Sequence, residues 1–312
     1  MNRIFSVDWA HKTENVRVYN GKKTSDKLPD PASDITIATE NMPLRQCKPF
    51  LDAGASIYRT TTHQTRKYRD ELGIEKNHAH PAHDEDAKII YELYEAQPDQ
   101  FYKMTWNPIF SEFRALYALF KEIQKVRIAN GNRSWANPDS ELLQANVDNL
   151  KSQEETILKE IENKLETMPI WTNFLSNVIG VGVATAAGLL AYVGDIARFP
   201  NVSCMMKYFG LDVQNGKAPR KQVGKSAMWH HEGRALILGV IADLFIKAKG
   251  GDYTNKTGKI IRRRKCPYRS IYELEKAKQL EMVDKPIIAE KRARRKMMKE
   301  FIKDFYKAYK AS

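Results

Sequence analysis

Cysteine is scarce in this chain of 312 residues: Cys47, Cys204 and Cys266 are far apart, and no two make a CxxC pair. That argues against a disulfide framework and a cysteine-built zinc site, and it favours a reducing compartment. Long apolar runs are missing too. No window approaches the ~18 consecutive apolar residues of a membrane span, so no membrane partner is expected. The opening residues, MNRIFSVDWA, lack a basic segment followed by an apolar one, so no secretory signal is expected and the cytoplasm is the natural location. The sequence shows no internal repeat and no low-complexity tract. Acidic residues are in deficit: 38 Asp+Glu against 51 Lys+Arg leave a formal charge of +13. Apolar residues make up 42% of the chain, enough for real cores, which excludes a wholly disordered polypeptide. At roughly 150 residues per domain, the length suggests about two domains.

The excess charge is concentrated. Residues 259–312 carry eighteen Lys/Arg and seven Asp/Glu, a net of +11. Two runs stand out, Arg262-Arg263-Arg264-Lys265 and Lys291 to Lys296. In the second, Met297, Met298, Phe301, Ile302, Phe305 and Tyr309 recur at helical spacing, and Arg292, Arg295, Lys299 and Lys303 fall on another face. A solvated helix face is one reading of such a run. Concentration over the whole tail favours the other, contact with the phosphates of a nucleic acid.

Along the chain, 3–9, 15–19, 34–40 and 55–60 read as strands, and Leu44–Asp52, Gln64–Leu72 and Asp84–Tyr94 as helices, an α/β layer arrangement. From Ile109 the pattern changes to long helices. Ile109, Phe113, Leu116, Phe120 and Ile123 form one stripe, and Leu142, Leu150, Ile157, Ile161 and Leu165 another, separated by a turn-rich stretch from Asn130 to Pro138. A helical hairpin fits, with coiled-coil pairing to a second copy open. A mostly helical, small-residue-rich region follows from Ile170 to about Gly250.

Asp8 lies inside the first strand, and Glu40 ends a later one. His83 and Asp86, three apart at a helix start, can face the same way. Carboxylate oxygens suit Mg²⁺ and Mn²⁺, and an imidazole suits Mn²⁺ better. Such ions can serve phosphodiester chemistry. Acids at strand ends are also common without function. His78, His80 and His83 as a zinc site lack a clear fourth ligand. Farther on, Gly180-Val-Gly182 between two helices either exposes N–H groups to a phosphate or allows close helix packing.

On these residues the chain resembles the DEDD transposases of insertion-sequence family one-hundred-and-ten, which include the Piv-type DNA invertases. Asp8 in SVDWAHK, Glu40 in ATEN and Asp86 in HDEDA are similar to the acids of that family's RuvC-like, ribonuclease-H-fold domain. NVIGVGVATAAGLLAYVGDIARF followed by MMKYFGLD is similar to its C-terminal transposase domain. The resemblance implies a RuvC-like α/β domain over 1–100, a helical hairpin or coiled coil over 101–168, and a helical transposase domain over 169–312 with a helix-hairpin-helix-like motif. It further implies a DNA recombinase acting on target and donor DNA with Mg²⁺ or Mn²⁺. The metal would be held by Asp8, Glu40, His83 and Asp86, with a structured noncoding RNA as guide. The implied homo-oligomer is a dimer or tetramer in which the metal site of one subunit meets the serine region of another.

There are two departures from the family pattern. The third acid falls on His83, with Asp84 as a fallback. The family's nucleophilic serine falls on Ala218, counted from Gly210-Leu211, and an alanine carries no nucleophile. An introduced Ser-to-Ala change, a naturally inactive copy, and a shifted register with Ser226 as nucleophile are all open. Gly180, Gly182, Lys217, Arg220, Lys221, Lys225, Arg262, Arg263, Arg264, Arg292 and Arg295 are the expected nucleic-acid contacts. Two rival functions remain: a hydrolytic, structure-specific nuclease that needs no serine, and a non-catalytic RNA- or DNA-binding descendant.

Overall fold

The structure is a computed structural model that describes residues 3–10, 15–74, 83–104, 108–213, 216–221, 227, 229–254 and 260–312. The chain divides into two compact units, residues 1–106 and 107–312.

The first unit is built on a six-stranded sheet. Its strands are β1 (Arg3–Ala10), β2 (Asn15–Tyr19), β3 (Thr24–Ser25), β4 (Ile35–Thr39), β5 (Ser56–Arg59) and β6 (Tyr102–Lys103), in the order β3-β2-β1-β4-β5-β6. β1 to β3 form an antiparallel meander, and β1, β4 and β5 run parallel. Period-two alternation decides what each face buries. Val7, Ile35, Ile37 and Ile57 pack with Cys47 and Phe50 of α1 (Leu44–Asp52) on one face. Ala38 packs with Ile90 and Leu93 of α3 (His83–Ala96) on the other. Helix α2 (Thr62–Glu71) is entered through Thr61, whose side chain accepts from the Gln64 N–H. The helices, and strands β1, β2, β4 and β5, fall on the segments the sequence patterns indicated, whereas the two-residue strands β3 and β6 were not anticipated.

The second unit opens with a hairpin of α4 (Pro108–Ala136) and α5 (Glu141–Glu166). Arg127 Nε pairs with Glu154 (2.6 Å) and Lys164 with Glu112 (2.9 Å), which fixes an antiparallel register. Phe113, Phe120, Ile157, Ile161 and Leu165 are buried as the stripes required, whereas Leu142 is exposed. The break between the helices is also shorter than the composition suggested, because α4 continues through Asn130 to Ala136. After α6 (Pro169–Asn173) come α7 (Val183–Val193), α8 (Val202–Tyr208), α9 (His231–Ala235), a π-helical turn over Leu236–Ile241, and α10 (Ala242–Lys247). The chain then forms an antiparallel ribbon of β7 (Lys249–Thr254) and β8 (Ile260–Lys265), and ends in α11 (Pro267–Met282) and α12 (Pro286–Ala311). α12 is part of the core: Met297, Met298, Phe301, Ile302 and Phe305 are fully buried, in one cluster with residues of α4, α5 and α7. The apolar stripe therefore seats this helix inside the unit, and its basic residues border packed structure.

Between α11 and α12, burial raises the Glu290 carboxyl, but contacts from Lys276, Tyr272 and Arg294 outweigh it and hold the group down at about 2. A carboxyl held low binds fewer protons folded than unfolded, so its contribution is complete above about pH 4.5 and is lost as the pH falls toward 2. Glu290→Gln is expected to remove about 2 kcal/mol of that acid-sensitive stability after discounting for partial exposure. The check is thermal unfolding between pH 7 and pH 2, where the variant should give the flatter acid limb.

Candidate functional site

The register of the first sheet places two acids side by side. β1 and β4 are parallel, with Val7 opposite Thr39, so Asp8 and Glu40 are the next residues at the carboxyl ends of adjacent strands. That end of an α/β sheet is where ligands bind. Thr39 Oγ1 donates to the Val7 carbonyl (2.8 Å), and Asn41 clasps both backbone groups of Trp9 (2.7 and 3.0 Å), locking the two strand ends together. Ser6, on the same face of β1 as Asp8, donates to the Ala87 carbonyl of α3 (2.5 Å). This hydrogen bond brings Asp86, the preceding residue, to that face. Asp8, Glu40 and Asp86 all line one cleft of about 270 Å³.

The cleft also holds cations and a hydroxyl. α2 supplies Thr65, Arg66 and Arg69 to its wall. Thr65 Oγ1 donates to Glu40 Oε2 (2.6 Å), and one turn later Arg69 forms an ion pair with Asp86. One face of α2 therefore engages two of the three acids. Three carboxylates suit Mg²⁺ or Mn²⁺ in kind. In position they stand apart: among the described residues, no three His, Cys, Asp or Glu are grouped to hold a metal ion. Asp84, the fallback acid, pairs instead with Arg17 Nε (2.7 Å). His83 begins α3, but its side chain lies outside the described residues, as do His78 and His80.

In the second unit the glycine-rich signature is first a packing device. Gly180 has φ +99°, and a Cβ there would lie 3.0 Å from the Phe245 ring. Thr185 Oγ1 accepts from the Gly182 N–H (2.9 Å), so that donor is already used. The Gly-Asp-Ile-Ala-Arg-Phe segment makes a corner. Asp195 accepts from the Ala197 N–H (2.8 Å), while the Gly194 and Phe199 carbonyls accept from Tyr309 and Tyr306 of α12 (3.0 Å each). The following Tyr208-Phe-Gly210-Leu211 ends α8. Gly210, with φ +62°, donates to Lys207 and Leu211 donates to Met206, the glycine-terminated helix end in which a left-handed residue satisfies the last carbonyls.

The chain then enters the loop that carries residue 218, and two arginines brace it. Arg295 Nη1 of α12 donates to the carbonyls of Gly210 (2.7 Å) and Asp212 (3.3 Å), and Arg234 Nη1 of α9 donates to that of Pro219 (3.0 Å). The loop is closed at its base by the His230 N–H on the Tyr208 carbonyl (2.7 Å). Arg295 was expected on an open phosphate-tracking face. It is instead half-buried and spends its donors on backbone. Burial and Arg234 push its guanidinium below its ordinary value, and Asp212 partly offsets this. Arg292 is exposed and donates to Gln279 (2.9 Å). Ala218 is half-buried beside exposed Lys217, Arg220 and Lys221, while Gly224, Lys225 and Ser226 lie outside the described residues. Arg262, Arg263 and Arg264 are exposed on β8.

The braced loop lies inside a recognised segment. Residues 172–236 match the family model described as Transposase IS116/IS110/IS902 family. This match supports a transposase of the IS110 kind, a DNA-acting enzyme with DNA as its partner. No curated protein matches the chain. Among the described residues, no helix is long and apolar enough to cross a membrane. Arg69, Thr65 and Arg234 were not singled out by sequence reasoning. The spacing of Thr65 and Arg69 on one helix face was the available signal for the first two, and nothing local marked Arg234.

Proposed function

We propose that this chain is the recombinase of a DNA insertion element, with a RuvC-like, ribonuclease-H-fold domain in the first unit. The family match over 172–236 carries the reading. The sheet order β3-β2-β1-β4-β5, antiparallel and then parallel, supports the fold assignment, and the shared cleft of Asp8, Glu40 and Asp86 supports the catalytic one. As they stand these acids are not grouped to hold a metal ion; holding Mg²⁺ or Mn²⁺ with His83 would require them to draw together and Asp86 to leave Arg69, and the bound ion would supply positive charge to a reacting phosphodiester. Arg66, in the same cleft, attracts that phosphodiester. On the second unit Lys217, Arg220 and Lys221 bind backbone phosphates beside residue 218, where the nucleophile of an active copy would stand. A structured noncoding RNA as guide and assembly into a homo-oligomer belong to the same reading. So does work at the nucleoid in the cytoplasm of a prokaryotic cell.

Ala218→Ser is expected to yield a covalent protein–DNA adduct when the chain is given its element DNA, RNA and Mg²⁺, read on a denaturing gel. Absence of an adduct with a correctly folded variant overturns the assignment of position 218. Ala218 as it stands carries no nucleophilic atom, and this favours a second reading, hydrolysis at the acid cleft alone. Cleavage of branched DNA by the unaltered chain, with no adduct, selects it.

A further inference from the structure

The β7–β8 ribbon has little to do with holding the second unit together. All its side chains described are exposed or half-exposed, and none belongs to the buried core. Beside it lies an open cleft of about 600 Å³, lined by Lys249, Gly250, Gly251 and Asp252 of one strand and Arg262 to Lys265 of the other. Five of these residues are basic and one is acidic. The two strands divide the work. β7 contributes consecutive glycines with φ +73° and +93°. Gly250 lies so close to its neighbour strand that a Cβ would sit 2.9 Å from the Lys265 nitrogen, and a Cβ on Gly251 would meet nothing within 4 Å. The result is a bare backbone floor. β8 contributes the cations.

Their spacing is informative. Arg262 and Arg264 are two residues apart on one strand, so they share a face at about 6.7 Å separation. That is close to the distance between successive phosphates along a nucleic-acid strand. Both are exposed, and neither has a hydrogen-bond or ion-pair partner among the described residues. The intervening Arg263 alternates to the other face and is engaged within the chain. Lys249 stands directly opposite Lys265 in the ladder, an unfavourable like-charge pair. Lys265 finds Glu273 (2.6 Å), whereas Lys249 has no described partner. These two lysines share the face of Arg263, opposite the one that carries Arg262 and Arg264.

We propose that the Arg262–Arg264 face of the ribbon, which also carries Asp252 opposite Arg262, binds two successive phosphates of a nucleic-acid strand without reading its sequence. The choice of nucleic acid as ligand rests on the recombinase reading. The test is fluorescence anisotropy of the full chain, titrated in increasing salt with three probes: a G·C duplex DNA, an A·T duplex DNA and a duplex RNA. Arg262→Ala/Arg264→Ala is expected to lower affinity at least tenfold at low salt and to reduce the slope of log affinity against log salt by about two on duplex DNA. The loss should be equal on the two DNA sequences. Arg262→Lys/Arg264→Lys, which keeps both charges, is expected to keep the slope. The RNA arm shows whether the strand held is DNA alone or either nucleic acid. An unchanged slope in the alanine variant overturns the proposal. So does a loss confined to one DNA sequence, or an equal loss in the lysine variant. A failed ribbon with an intact Ala218→Ser adduct leaves the recombinase reading standing, and a working ribbon without an adduct overturns the assignment of position 218 and leaves the ribbon proposal standing.

Discussion

Asp8→Asn, placed in the chain that carries Ala218→Ser, is expected to lower Mg²⁺-dependent DNA cleavage by at least about 10²-fold while leaving the fold and DNA affinity intact. The change is isosteric and sits near the carboxyl end of β1, so the pairing that aligns Val7 with Thr39 persists. What changes is charge. The described cleft holds three carboxylates, Asp8, Glu40 and Asp86, and two guanidiniums, Arg66 and Arg69. In that inventory the acids exceed the cations by one. Removing Asp8 leaves two of each and no net attraction for a divalent cation. Mn²⁺ titration followed by electron paramagnetic resonance should show weakened binding alongside the lost cleavage. An unaltered cleavage rate would remove Asp8 from the centre.

The pairing of Asp8 with Glu40 was legible from the sequence as two strand-borne acids, but their adjacency was not. Adjacency depends on β1 and β4 being parallel neighbours in one register, a long-range fact that period-two alternation within either strand does not contain. Asp86 was legible as the start of a helix. The partners of the acids were hidden for another reason. Arg69 lies in a strongly charged helix that reads as solvated, yet it is buried against the cleft because α2 turns its Thr65–Arg69 face inward.

Element types over the first unit followed largely from local apolar patterns, although α2 buries Thr65 and Arg69 rather than an apolar face. The basic C-terminal stretch shows where such reading stops. Its apolar stripe correctly marked α12, but charge density suggested an open phosphate-binding face throughout. Packing separates these residues: Arg292 stays outside, Arg294 pairs with Asp243 and Glu290, and Arg295 turns in to the loop. The Gly-Asp-Ile-x-Arg-Phe and Tyr-x-Gly-Leu segments were recognisable as a family signature. In the structure they form the corner and helix end that dock on α12 and launch the loop carrying residue 218.

Arg295 is the place where two opposing effects can be weighed. Its guanidinium is half-buried near Arg234, and its replacement relieves repulsion between them. It also supplies a donor to the Gly210 and Asp212 carbonyls, and its replacement withdraws that donor from both. Each unsatisfied acceptor costs about 1–3 kcal/mol, whereas the repulsion is already softened by Asp212 and by solvent reaching the loop. The lost donors should win. Arg295→Met, which keeps the stem volume, is expected to destabilise the second unit by about 2–4 kcal/mol. Hydrogen exchange should show protection falling first at 210–213 and 216–221, ahead of the core around Phe301. Gly210 limits how the loop can adapt. A side chain there would meet Trp229 and Arg234 at 3.0–3.1 Å, and the backbone is held at positive φ, so the loop cannot shift toward a new donor without unpacking α9. A more stable Arg295→Met chain would mean that charge repulsion dominates this corner and that Arg295 does not brace the loop.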